Sequence, residues 1–354
     1  MNGAFGKVLA ASPEDKRGLF TEAARRLGTS ERYVEKDFWV CWSLEALFND
    51  RPAGEPRLLF KGGTSLSKAF DLISRFSEDI DITVFRDDLG DEASIETLEA
   101  MKLLDVRGIG PAKLDAIRDH CSAYITGPLH DWLTAHFNRT LADAGISESE
   151  AQVTIDKKDL DGQTLLLWYP SLFDDCDNYV SPAVRIESGA KSAVDPHVIT
   201  SVVPYVAEEL GDLEFFVPNV TTVSATRTLW DKIIILHGLR QWFDRRGVVR
   251  QEGQRITRHY YDVNQLLAHP DGQAAVHDRE LARDCARHAR MFFNRPDLNL
   301  DAAVEGNFTP APSDAMLTAL ERDYVSMQGM IFGEIPKFSE VIARIHQLDD
   351  DLRG

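Results

Sequence analysis

The sequence predicts an α+β fold, a mixed β-sheet with flanking helices followed by a C-terminal helical bundle. Three observations carry this expectation. Short apolar or alternating runs of strand length are interleaved with helix-period stretches as far as about residue 225, and beyond Thr226 the pattern is almost wholly helical. A chain of 354 residues with 44% hydrophobic and 27% charged side chains also has the composition of a folded protein. The boundary is placed near residue 225, giving domains 1–225 and 226–354, each long enough to bury its own core. No window approaches the roughly 18 to 20 apolar residues of a membrane span, and the start lacks a basic stretch followed by an apolar run, so a soluble cytoplasmic protein is expected. Cys41, Cys121, Cys176 and Cys285 are scattered with no CxxC pair, which argues against a disulfide scaffold or a structural zinc site.

Taken in order, Leu19, Phe20, Ala23, Ala24 and Leu27 recur at helical steps, with Gly28 as the stop. A second helix starts near Ser30 and carries the stripe Tyr33, Val34, Phe38, Trp39, Trp42 and Leu47. Leu58-Leu59-Phe60 is too short for a helix and ends at Gly62-Gly63, so it reads as a strand entering a tight turn. A helix is expected over 65–73. Residues 79–85 then alternate strictly, with Ile80, Ile82 and Val84 on one face and Asp79, Asp81 and Thr83 on the other. The stretch 92–144 is helical with a break at Gly108 and Gly110, and strands are expected at 152–155, 164–169, 183–187 and 213–217. Helices fill 229–242, 260–267, 278–293, 314–332 and 338–348.

Asp79-Ile80-Asp81 is the feature most able to carry chemistry. On a strand, residues i and i+2 share a face about 6 to 7 Å apart, so both carboxylates can project toward one hard cation. Mg²⁺ (or Mn²⁺) suits such oxygen ligands and completes its shell with water and phosphates. The alternative is a solvated strand edge. Upstream, Gly62-Gly63-Thr64-Ser65 allows close backbone approach to a ligand, and Thr64 or Ser65 can cap the next helix or donate to phosphate. The spacing of a Walker A loop is absent. Glu187, on the face that Arg185 also occupies, could join the aspartates from a neighbouring strand, or could be a surface carboxylate paired with Arg185.

The string Phe60-Lys61-Gly62-Gly63-Thr64-Ser65-Leu66-Ser67-Lys68, then Arg75-Phe76-Ser77-Glu78-Asp79-Ile80-Asp81, closely resembles the signature of the AbiEii/AbiGii toxin family, within the DNA polymerase β-like nucleotidyltransferases. Thr226 to Lys232, continuing to Leu236-His237, looks like the family's helical lysine motif, and Arg258-His259-Tyr260-Tyr261-Asp262 looks like its closing motif. The entry helix, Val34 to Trp39, is also family-like. The resemblance implies a nucleotidyltransferase-type sheet and a toxin of a bacterial toxin–antitoxin or abortive-infection pair. It implies that a nucleotide passes from a nucleoside triphosphate to RNA, with tRNA 3′ ends the best precedent. Carried over, Asp79, Asp81 and Glu187 hold metal; Gly62, Gly63, Thr64, Ser65, Lys68 and Lys232 bind nucleotide; and Asp262 helps to organise the site. Two metals on shared carboxylates would serve the attacking and leaving oxygens, and a lysine suits the leaving phosphates as a point charge. A phosphotransferase, a metal-dependent nuclease and a silent nucleotide-binding protein remain as alternatives.

The net charge of −18 excludes a protein that coats nucleic acid nonspecifically. Residues 226–295, however, hold 13 Lys and Arg against 8 Asp and Glu, a local excess of about five on an acidic chain. Arg240, Arg245, Arg246, Arg258, Arg283 and Arg287 are therefore the expected RNA contacts, against the plainer account of a solvated face with intrahelical ion pairs. Gly108-Ile109-Gly110-Pro111 is similar to the hairpin of a helix-hairpin-helix module, with a plain helix–helix turn as its alternative. A cognate antitoxin is the expected protein partner.

Overall fold

The computed structural model describes residues 3–77, 79–94, 109–147, 151–173, 181–211, 214–250 and 254–353. Gly108, Glu78 and Cys176 lie outside the described residues, so the hairpin reading rests there on sequence alone. The chain divides into two compact units. Counting described residues only, the first combines 3–69, 76–77, 79–94, 112–147, 151–173, 181–211 and 214–223, and the second combines 70–75, 109–111, 224–250 and 254–353. Among the described residues no helix is long and apolar enough to cross a membrane.

The first unit contains helices α1 (Gly3–Ala10), α2 (Pro13–Leu27), α3 (Glu31–Glu45), α4 (Gly62–Lys68), α5 (Pro111–Tyr124) and α6 (His130–Asp143). Its strands are β1 (Leu58–Lys61), β2 (Asp79–Val84), β3 (Gln152–Ile155), β4 (Thr164–Trp168), β5 (Ala183–Glu187), β6 (His197–Val202) and β7 (Val217–Val223). They form one seven-stranded sheet in the order β3-β4-β5-β2-β1-β7-β6. The sheet is mixed, because β2 runs parallel to β5 and β1 parallel to β7 while the other neighbours are antiparallel. Ile80, Ile82 and Val84 are fully buried, as are Ile186 and Leu165 beside Ile80 in register, so one face of the central strands is a continuous apolar layer. Local chemistry fixes the helix ends. The Ser12 hydroxyl accepts from the Asp15 amide with Pro13 at the first turn, Ser30 caps α3, and Gly28 closes α2 in the left-handed conformation. α3 packs against β5 and β7, and its Trp39 stacks on Tyr169 with ring centres 5.5 Å apart.

The structure departs from the sequence expectation at several elements. α4 begins at Gly62 and ends at Lys68, shorter than the expected 65–73, and Asp71 follows in a left-handed conformation (φ 53) that no helix continues. The residues that follow α4, Phe70–Arg75, belong to the second unit. The last strand of the sheet is β7 at 217–223, not 213–217. Pro218 looks like a stop in sequence, but a register shift against β6 between Thr200 and Val202 accommodates it as a bulge. α1 and β6 carry too little periodicity to be expected. β6 is an edge strand with Val198 and Ile199 exposed, so burial imposes no alternation on it.

The second unit is helical: α7 (Ala225–Arg246), α8 (Thr257–Leu266), α9 (Pro270–Ala275), α10 (Arg279–Phe293), α11 (Leu300–Val304), α12 (Asp314–Met327) and α13 (Phe338–Arg353). Trp230 of α7 and Tyr260 and Tyr261 of α8 are completely buried and centre its core. Ser224 caps α7 and Gly247 ends it at φ 70. From the N-terminal half of the sequence, Arg75 pairs with Ile331 in an isolated bridge, and the Phe332 amide donates to the Ser74 carbonyl.

Candidate active site

β2 exposes its acids on the face opposite the apolar layer. Register places Lys61 of β1, Asp81 of β2, Glu187 of β5 and Thr164 of β4 in one row across the sheet, and Asp79 beside Arg185 in the next. Neighbouring strands lie about 4.8 Å apart, so Asp81 and Glu187 are adjacent by backbone position. Their side chains do not converge. The Glu187 carboxylate accepts from Arg185 Nε at 2.7 Å, and Arg185 Nη1 donates to Asp156 Oδ2 at 2.7 Å. Burial alone would pull the Arg185 guanidinium down, but Glu187, Asp156 and Asp79 together hold it above its ordinary value. Among the described residues no group of three acids, histidines or cysteines is arranged to hold a metal ion. In this structure Glu187, expected as a third ligand, is engaged by Arg185. Asp79 and Asp81 remain on the face, with Lys61 Nζ at 3.8 Å from Asp81.

The glycine turn is built against Asp81. Gly62 has φ +81, and a Cβ placed there would lie 2.1 Å from Asp81 Oδ2. Both the conformation and the close approach demand glycine. The hydroxyls turn inward, contrary to expectation. Thr64 and Ser65 are fully buried. The Thr64 hydroxyl bonds the Asp79 carbonyl and lies 2.7 Å from the Ser77 hydroxyl, and Ser65 Oγ donates to the Gly62 carbonyl at 2.9 Å. Thr64 ties the turn to the start of β2, and Ser65 closes back on the turn itself. Lys68, expected as a nucleotide contact, faces the protein interior. It is buried 2.6 Å from Asp37 and 3.7 Å above the Tyr205 ring, pinning α4 to α3. Replacing Gly62 by Ala is expected to displace the Asp81 carboxylate and to lower any Asp81-dependent turnover about 100-fold, with a stability cost of about 1 to 2 kcal/mol. Steady-state rates beside thermal melts check this.

In the second unit, Asp262 is completely buried between two cations. Arg75 grips it through Nε at 2.7 Å and Nη2 at 2.9 Å, and Lys232 Nζ lies 2.7 Å from Oδ2. Burial alone would raise the Asp262 carboxyl, but Arg75 and Lys232 outweigh it and hold it well below the usual carboxylate range. Burial pulls Lys232 below its ordinary value, with Asp262 opposing. α7 and α8 thus bring the predicted Lys232 and Asp262 together. Asp231, the nearer candidate partner for Lys232 in sequence, instead pairs with Arg227 one turn away. Arg75 is the member of this triad that sequence reasoning missed, although it stands four residues before Asp79 in the matched string.

The basic residues separate into two groups. Arg240 is held by Asp244 and the Ala311 carbonyl, and Arg246 by Asp297, so these two follow the plainer ion-pair account. Arg245, Arg258, Arg283 and Arg287 are exposed, and Arg287 also pairs with Asp284 one turn away at 3.9 Å. Arg283 and Arg287 lie one turn apart on α10, flanking its buried Ala282, Cys285 and Ala286.

A mixed sheet bearing an acidic strand pair, with a glycine turn pressed against one of the acids, defines a nucleotidyltransferase-like α+β protein. A family model described as the nucleotidyl transferase AbiEii toxin of type IV toxin–antitoxin systems matches residues 45–344, and the chain belongs to that family. Among solved structures, MenT4, a nucleotidyltransferase toxin from Mycobacterium tuberculosis H37Rv, is similar at 14% sequence identity and a TM-score of 0.49, covering 94% of this chain and 89% of that one. No curated protein matches the sequence.

Proposed function

We propose that the chain transfers a nucleotidyl group from a nucleoside triphosphate to an RNA acceptor, with a tRNA 3′ end as the acceptor, and acts in this way as the toxin of a type IV pair. The observation that carries the reading is the fit of Gly62 against Asp81, which holds a carboxylate beside a turn able to meet phosphate. Asp79 and Asp81 fit a hard divalent ion such as Mg²⁺ or Mn²⁺, because both donors are carboxylates on one strand face. When bound there, such an ion would neutralise phosphate charge. The reaction joins the RNA hydroxyl oxygen to the α-phosphorus and breaks the bond to the β-phosphate oxygen. Pyrophosphate leaves with the bonding pair, and the hydroxyl proton passes to solvent.

The chain's own groups divide the work. N–H groups of the Gly62-Gly63 turn orient the triphosphate, Thr64 fixes that turn on β2, and Ser65 closes it on the Gly62 carbonyl. Lys232 and Asp262 follow the family motif, whose lysine the resemblance assigns to phosphate. The exposed Arg245, Arg258, Arg283 and Arg287 offer cations to the RNA backbone. A cognate antitoxin is the cellular counterpart. The reading is tested by giving purified protein each α-labelled triphosphate with Mg²⁺ and either total RNA or RNA depleted of tRNA. Label retained on the tRNA fraction is expected, and label retained equally after tRNA depletion contradicts the acceptor.

A further inference from the structure

The acidic face contains its own cation at the place where a third metal ligand was expected. Arg185 shares the face of Asp79 and Glu187, stands beside Asp79 in register, and spans from Glu187 to Asp156 at 2.7 Å each. Its position is not that of a loose surface arginine. Asp156 is 5% exposed and is itself fixed by the Lys158 amide at 2.9 Å, so one end of the guanidinium is anchored to a buried carboxylate while the other holds the exposed Glu187. A planar guanidinium bridges two carboxylates in a way a lysine ammonium cannot. Among the described residues, the carboxylates of Asp79, Asp81, Glu187 and Asp156 therefore share this part of the sheet with the cations of Lys61 and Arg185.

We propose that Arg185 is a positioning residue that keeps Glu187 off the Asp79/Asp81 pair and occupies the place of a second cation, so that this site binds one divalent ion through two protein carboxylates. The inference rests on the metal reading above. A fixed positive charge beside Asp79 repels a second cation, and the anchored fork stops Glu187 from turning toward the first.

The test is Mn²⁺ binding to the full chain, read as free Mn²⁺ by electron paramagnetic resonance and requiring no turnover. Wild type is expected to bind a single ion at this face, and Glu187→Gln to bind it with affinity unchanged within about twofold, since Glu187 supplies no ligand. Arg185→Gln is expected to bind Mn²⁺ about tenfold more tightly or to gain a second ion, and Arg185→Gln/Glu187→Gln to lose that gain. If Glu187→Gln alone weakens binding about tenfold, or Arg185→Gln binds neither tighter nor more, the proposal is overturned. Glu187→Gln changes an exposed side chain, so it decides the question even where Arg185→Gln fails to fold. Asp81→Asn separates the two levels of the argument. Wild-type Mn²⁺ binding in that variant overturns the metal reading itself, whereas its loss there, with a failed Arg185 result, overturns the Arg185 role alone.

Discussion

Replacing Asp81 by alanine is expected to abolish nucleotidyl transfer while the protein keeps its fold. Asp81 is the carboxylate against which Gly62 is pressed, and it stands on the face with Asp79. Losing it removes half of the oxygen set that would carry metal and phosphate charge, and removing a single preorganised electrostatic group commonly costs about 100- to 1,000-fold in turnover. The stability cost should be small. Its ion partner, Lys61, is 3.8 Å away, and both side chains are more than a quarter exposed, so the pair contributes at most about 1 kcal/mol. Alanine also keeps the strand backbone of β2 and the aliphatic face of Ile80, Ile82 and Val84. Thermal melts within a few degrees of wild type, with transfer reduced to background, are the expected result. Transfer within about tenfold of wild type would remove the acidic strand from the chemistry.

The opposite balance is expected at Asp262. Asp262→Ala leaves Arg75 and Lys232 buried and facing each other without their shared anion, and breaking a buried pair in this way costs about 3 to 5 kcal/mol. Against a typical total of about 5 to 15 kcal/mol, that loss should lower the Tm by roughly 10 °C or unfold the second unit. Lys232→Met differs in sign and meaning. Asp262 keeps both bonds to Arg75, the methionine fills similar volume, and the charge count of the cluster balances. Stability should change by no more than about 1 kcal/mol while transfer is lost. Unchanged turnover in Lys232→Met would remove Lys232 from the reaction, and an unaffected melt in Asp262→Ala would contradict the buried triad. Calorimetry and the transfer assay on the same preparations separate the two.

Legibility in the sequence followed the range of the interactions involved. β2 was readable because strict alternation over 79–84 is a local pattern, and β1 with the glycine turn was readable from an apolar run ending at Gly62. The pairing of Lys61, Asp81 and Glu187 was not, since strand register joins segments distant in sequence. The same holds for Arg75 and Asp262, separated by 187 positions. At Lys68, Thr64 and Ser65 the sequence shows a side chain's chemistry but not its burial. Lys68 turns to Asp37 and the two hydroxyls turn to backbone carbonyls, so their polar groups serve packing. Glu187 shows the same difficulty in sharper form: the alternative of pairing with Arg185 is visible in the sequence, but the anchoring of Arg185 on Asp156 is not. Arg240 and Arg246 went the way of the plainer ion-pair account for a local reason in one case, Asp244 four residues on, and a distant one in the other, Asp297.

The most direct test of the central claim follows the fate of two phosphates in one reaction. Purified protein, Mg²⁺ and RNA are supplied with a triphosphate labelled at either the α- or the γ-position, and RNA products and pyrophosphate are measured together. The account predicts that only the α-label becomes attached to RNA, that the RNA lengthens, and that one pyrophosphate is released for each nucleotide added. Label from the γ-position on RNA, or RNA that shortens instead, would contradict it.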